Sequence, residues 1–211
     1  MIENALAVMR RAGATLVDPA ELPNMDKLGD PELLVLLYEL KADLDAYLQQ
    51  RGANVRSLQE VIAFNEQHRA VEMPYFGQDL LIKAQAKGPL SSSEYVEALA
   101  TCKRIARSEG IDAIMERERL DAIVAPTGGP AWLTDLVLGD NSIPSSSSAA
   151  AVAGYPTITV PAGFVSGLPV GVSFFGRAWS EPTLLSIAYA YEQASHARKP
   201  PGFAPTIGRE R

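Results

Sequence analysis

The sequence predicts an α/β fold, a partial mixed β-sheet flanked by helices, and three observations predict it. First, residues 120–177 hold three short apolar, β-branched runs, at 121–125, 157–160 and 170–175, that read as strands. Second, most of the remaining chain is amphipathic helix punctuated by start and stop residues. Third, TITVPAG and VGVSFF are apolar at nearly every position, as central strands buried on both faces are. With one further short strand, about four strands serve about seven helices, too few for a finished sheet. The chain therefore reads as a segment of a longer protein.

Taken in order, Ile2, Ala5, Leu6 and Met9 recur at helical spacing, and Gly13 sits where that helix ends. Residues 14–17 read as a short strand closed by Asp18-Pro19. Asp30 as N-cap, Pro31 in the first turn and Glu32 at the positive dipole end open a long helix. Leu33, Leu37, Leu40, Leu44 and Tyr47 line one of its faces, and Gly52 stops it. Ser57 and Glu60 form a capping box for a helix through about residue 68. Met73-Pro-Tyr-Phe-Gly77 is an aromatic loop that pins two helices or closes over an apolar ligand, and a short helix follows it to near Gly88.

Ser91 and Glu94 open another capped helix with Tyr95, Leu99, Cys102 and Ala106 on its face; Gly110 weakens or kinks it before Ile111, Ile114 and Met115. After the central stretch, residues 181–197 form a last helix with Leu184, Leu185, Ala188 and Tyr191 inward. Residues 199–211, rich in Pro and Gly, read as a loose tail. Without a repeat or a low-complexity linker, residues 1–211 read as a single domain.

Composition excludes several classes of function. A net charge of −6, with no basic stripe, argues against nucleic acid or an anionic membrane as partner. No apolar run approaches the roughly 20 residues of a membrane span, and the amphipathic start with Glu3 does not read as a secretory signal. A single cysteine, Cys102, excludes an internal disulfide and a cysteine-based zinc cluster, and a cytoplasmic setting is the simplest expectation. His68 and His196, the only histidines, have no second ligand at metal spacing, so no metal is expected. No phosphate-binding loop occurs.

The long connection at residues 126–144 leaves the carboxyl end of a strand, where α/β sheets bind ligands. Gly128 and Gly129 permit close approach, Trp132 offers an apolar wall and a donor, and Asp135 and Asp140 offer carboxylates. The alternative is a structural loop with its Trp packed on the core. Ser145–Ser148 either cap a small-residue helix or hold a nucleophile, but a nucleophile needs a base and no G-x-S-x-G elbow is present. Lys27, Lys41, Lys83, Lys87, Lys103 and Lys199 lie in loops or on polar helix faces and read as solvated charge rather than as a deprotonated base.

In order along the chain, DAIVAPTGGPAW, SAAAVAGYPTITVPAG, GLPVGVSFFGR and EPTLLSIAYAYEQA resemble the C-terminal half of amidase signature hydrolases. Upstream, AFNEQH and EMPYFGQ resemble the helical region of members close to the peptide amidases. The resemblance covers residues 3–205. It implies a mixed sheet flanked by helices and hydrolysis of a carboxamide C–N bond without metal or cofactor. The chemistry it implies uses a nucleophilic serine, a second serine in a cis peptide and a lysine base, borne by a lysine strand and a Gly-Ser-rich segment of the N-terminal half. This sequence has neither a Gly-Ser-rich segment of that kind nor a matching lysine. The resemblance therefore implies no catalytic residue here, and places Thr127, Gly128, Gly129, Trp132 and Asp135 along a cleft for a small-molecule amide. The expected activity is none for the chain alone, and the alternative is an amidase-derived binding protein. An unfinished sheet also predicts self-association through an exposed edge.

Overall fold

A computed structural model describes residues 1–52, 54–139 and 145–203. The chain divides into two compact units, one of residues 1–25 and 105–211, the other of residues 26–104.

The first unit holds the sheet. Among the described residues it has three strands, β1 (Ile123–Pro126), β2 (Thr157–Val165) and β3 (Leu168–Phe175), in the order β1-β3-β2. Both pairings are antiparallel. The reason for β2 and β3 is local: Ser166 and Gly167 both take positive φ, 49° and 78°, the two-residue turn that matches strand twist in a hairpin. VGVSFF is central as expected, but TITVPAG lies at the edge of this sheet. Residues 14–17 form no strand.

Alternation along β3 divides the core. Val172 and Phe174, with Val160, pack against Ala5 and Met9 of helix α1 (Ile2–Arg11) and Leu184, Ala188 and Tyr191 of helix α9 (Glu181–Ser195). Phe175 and Ile123 face the other way, onto Ile114 and Met115 of α7 (Asp112–Arg117) and Ala149, Ala150 and Ala153 of α8 (Ser147–Ala153). Alanines let α8 lie close to the sheet. Before α7 the chain runs as a π-helical segment, Arg104–Ile111, that breaks at Gly110 (φ −102°, ψ −105°). A Cβ there would stand 2.4 Å from the Ile105 carbonyl oxygen, so the expected kink is present and needs glycine. Leu185, expected inward on α9, is 58% exposed.

The second unit contains helices α2 (Gly29–Arg51), α3 (Leu58–Gln67), α4 (Arg69–Glu72), α5 (Asp79–Gln85) and α6 (Ser93–Lys103). Helix α2 starts one residue before Asp30, with Leu28 at the cap position, and Gly52 closes it in the left-handed conformation. It buries Val35, Leu37 and Tyr38, whereas Leu33, Leu40 and Tyr47 are exposed; apolar residues run around this helix, so periodicity alone did not single out the inner face. The Ser57 half of the capping box is present, the Glu60 N–H donating to Ser57 Oγ at 3.2 Å, whereas Glu60 Oε2 reaches one residue further back and accepts from Arg56 N–H at 2.7 Å. The box expected at Ser91 and Glu94 is absent, because Ser92 Oγ donates to the Pro89 carbonyl and Glu94 accepts from the Tyr38 and Lys87 side chains. Tyr75 and Phe76 are 66% and 52% exposed, so they do not pin helices.

Candidate functional site

The face of the sheet beneath α8 changes character along its length. Ile123, Phe175 and Thr157 form one cross-strand row, Ala125, Ser173 and Thr159 the next, and Thr127, Gly171 and Pro161 the row after it. Bulky apolar groups thus give way to hydroxyls and then to a glycine, which leaves a polar shelf beyond the packed core. Ser173 is buried, and its Oγ lies 2.7 Å from Thr127 Oγ1 and 2.8 Å from Thr159 Oγ1. The two threonine hydroxyls are themselves 3.5 Å apart. The two threonines satisfy the buried Ser173 hydroxyl, which would be costly to leave unpaired.

Thr127 is fixed from both sides. Its N–H donates to the Gly171 carbonyl at 3.0 Å, and its carbonyl accepts from Ser146 N–H at 3.3 Å, which ties the end of β1 to the start of α8. Glycine is required at 171: a Cβ would meet Thr159 Cγ2 at 2.7 Å and Thr127 Oγ1 at 2.8 Å. At Gly128 a Cβ would reach Ser145 Cβ at 3.7 Å, an ordinary contact, so that glycine is not demanded by crowding.

Beside this shelf lies a cavity of about 450 Å³ lined by Ala125, Ser145, Ser146 and Ser148, with Glu21 and Leu22 opposite. The serines do not cap α8 through their side chains as expected. Ser146 occupies the cap position at φ −92° and ψ 8°, not the extended backbone that aims a cap oxygen at the next turn. Ser145 Oγ and Ser147 Oγ instead lie 3.0 Å apart. Of the lysines, Lys41 donates to the Gln85 and Lys87 carbonyls, Lys87 pairs with Glu94, and Lys199 lies over the Phe164 ring.

Of the residues singled out in the sequence, Thr127 and Gly128 come together with Ser145 and Ser146 at the head of α8. Gly129 follows them, half-buried. Trp132 is 44% exposed and joins no ring contact among the described residues, so it is not packed as a core tryptophan. Asp135 is occupied by its own turn. Its Oδ1 accepts from Val137 N–H at 2.8 Å and Leu138 N–H at 2.9 Å, and these two donors hold its carboxyl below the usual carboxylate range. That turn presents Leu133, Val137 and Leu138, each at least 77% exposed. Asp140 lies outside the described residues.

Sequence reasoning missed Ser173 and Thr159. The available signal was hydroxyl residues at one parity in two largely apolar strands, Thr157 and Thr159 in TITV and Ser173 in VSFF. His68 Nδ1 lies 2.8 Å from the Phe64 carbonyl and its ring stacks on Phe64, and His196 closes α9 in the left-handed conformation. Among the described residues no cluster of three metal-ligating side chains forms, and no helix is long and apolar enough to cross a membrane.

Comparison with known proteins gives this site a context. The family model described as Amidase matches residues 1–185. The peptide amidase of Stenotrophomonas maltophilia is 48% identical in its native crystal structure, with a TM-score of 0.88; 96% of this chain covers 40% of it. The peptide amidase PAM in complex with the competitive inhibitor chymostatin is 50% identical, with a TM-score of 0.91 and coverage of 96% and 41%. A curated relative from Arabidopsis thaliana, named Probable amidase, is 37% identical over 210 residues, which span 96% of this chain and 38% of the relative. The chain therefore spans about two fifths of the length of the relatives it matches.

Proposed function

The chain belongs to the amidase family, and from that membership we propose that it is the C-terminal portion of an amidase that hydrolyses a carboxamide C–N bond. The observation that carries this reading is coverage: nearly all of the chain corresponds to two fifths of a peptide amidase at close to half identity. In this reading the nucleophilic serine, the cis-peptide serine and the lysine base belong to the other three fifths. The chain supplies one wall of the substrate cleft and is inactive alone. The pairing of Lys41 and Lys87 elsewhere and the mutually bonded serines at α8 support the second point.

The wall consists of Thr127, Gly128, Gly129, Trp132 and Asp135. Thr127 contributes a hydroxyl whose direction is set by Ser173, and the glycines let a flat amide or a neighbouring backbone approach. Trp132 offers an open apolar surface for a substrate side chain. Asp135 holds the loop in shape through its turn and leaves Oδ2 uncommitted among the described residues. Such groups position the substrate and select it, and the bond-breaking groups meet the carbonyl from the other side.

The test is a chimera in which this chain replaces the matching two fifths of the Stenotrophomonas maltophilia enzyme. The expected result is hydrolysis of a peptide amide, with Trp132→Ala raising KM more than it lowers kcat. A folded chimera that binds a peptide amide without cleaving it would favour the alternative, an amidase-derived binding protein.

A further inference from the structure

Helix α8 is held at both ends. At its head, Ser146 N–H donates to the Thr127 carbonyl at 3.3 Å, which ties the helix to the end of β1. At its tail, Arg107 Nε donates at 2.7 Å to the carbonyl of Ala153, the last helical residue. That carbonyl is one of the four that a helix end leaves without an internal partner, and Ala153 is buried. The Arg107 guanidinium also lies over the Tyr155 ring, 5.6 Å from its centroid, and Tyr155 Oη donates to Asp112 Oδ2 at 2.9 Å. Arg177 Nη2 donates to the Asp112 carbonyl at 2.8 Å and holds Asp112 in turn.

Arg107 and Asp112 reach the same tyrosine because of the backbone between them. Five residues apart in an ordinary α-helix, with 3.6 residues per turn, they would point about 140° away from each other. Arg107 instead lies in the π-helical segment that breaks at Gly110, Asp112 follows it directly, and both side chains meet Tyr155. Single π-helical turns recur at functional sites. The helix that this clamp holds is weakly anchored by packing: its buried residues are Ala149, Ala150 and Ala153, which bring little apolar area each. Its end bonds therefore carry much of its placement. With seven residues it is about 10 Å long, so a shift at its tail reaches its head within two turns.

We propose that Arg107 is a positioning residue: by gripping the carbonyl end of α8 it fixes where Thr127 and Gly128 stand in the cleft wall, acting through the helix rather than on the substrate. Its effect on turnover rests on the reading of the chain as an amidase portion, whereas the coupling along α8 does not.

Arg107→Met keeps the aliphatic stem and removes the guanidinium. Amide chemical shifts and hydrogen exchange of the chain alone read the two ends of α8, and KM and kcat of the chimera with the Stenotrophomonas maltophilia enzyme read the wall. The expected result is faster exchange at the Ser146 amide and shifted Thr127 and Gly128 amides, at the far end of the helix. In the chimera KM should rise about tenfold and kcat fall less, as for a binding group displaced by part of an ångström. Arg107→Lys keeps a donor for the Ala153 carbonyl but loses the planar group on Tyr155, and should fall between the parent and Arg107→Met in both readouts. Ser57→Ala, which removes a capping bond from the other unit, controls for lost stability alone and should leave KM unchanged. Changes confined to residues 153–155, an unchanged KM in a folded and active Arg107 variant, or an equal rise in KM for Ser57→Ala would each overturn the proposal. A chimera that never turns over refutes the amidase reading, and exchange at Ser146 still decides the coupling along α8.

Discussion

Gly171→Ala is a severe test of the hydroxyl shelf, because one methyl group enters the space between two threonines. The new Cβ would lie 2.7 Å from Thr159 Cγ2, 2.8 Å from Thr127 Oγ1 and 3.3 Å from Thr127 Cβ. Threonine is β-branched and stiff at χ1, so neither side chain turns away without breaking its bond to Ser173. Either the strands part slightly or the hydroxyl cluster opens. Overpacking of this kind costs about 1–3 kcal/mol, and at this chain length each kcal/mol lowers Tm by about 2–4 °C. Urea unfolding followed by circular dichroism measures the loss. Thr159→Ser removes the atom at 2.7 Å and keeps the hydroxyl, so the double variant should recover part of the loss, a positive coupling between the two sites. A Gly171→Ala protein within about 0.5 kcal/mol of the parent, or a double variant that simply adds the two losses, would refute the crowding argument.

Ser57→Ala should cost about 1 kcal/mol by removing the acceptor for Glu60 N–H, read as a lower Tm; no change would mean that the cap in the structure adds nothing. Tyr155→Phe removes the 2.9 Å bond to Asp112 Oδ2 and should cost about 1 kcal/mol in urea unfolding, and a neutral result would count against that bond. The Asp135 turn has a signed pH dependence. Its folded pKa is depressed, so the carboxylate stabilises the turn throughout the range above the usual aspartate value, and that contribution is lost as pH falls through the lower folded value. The Val137 and Leu138 amide shifts should therefore titrate with a midpoint below the ordinary aspartate value; a midpoint at or above it would contradict the two N–H bonds.

Elements with local signals were legible in the sequence. The Ser57 cap, the Gly52 stop, the Gly110 kink and the strands β1, β2 and β3 follow from side chains that act within a few residues. Features set by tertiary contact were not. The inner face of α2 was hidden because Leu33, Leu36 and Leu40 are as apolar as the buried Leu37. Residues 14–17 have strand-forming composition but no ladder partner among the described residues, and composition cannot supply one. The Ser145–Ser148 run looked like a cap, yet its backbone at Ser146 decides that it is not. The candidate site was half visible: the β1 terminus and its glycines are marked in sequence, whereas Ser173 and Thr159 become neighbours of Thr127 only through the order β1-β3-β2.

The most direct measurement of the central claim is hydrolysis of a peptide amide by the purified chain alone, combined with fluorophosphonate labelling of its serines. The account predicts ammonia release at the buffer rate and no labelled serine at 145–148. Turnover well above that rate, abolished by alanine at one of these serines together with its labelling, would show that the chain carries its own nucleophile and would contradict the account.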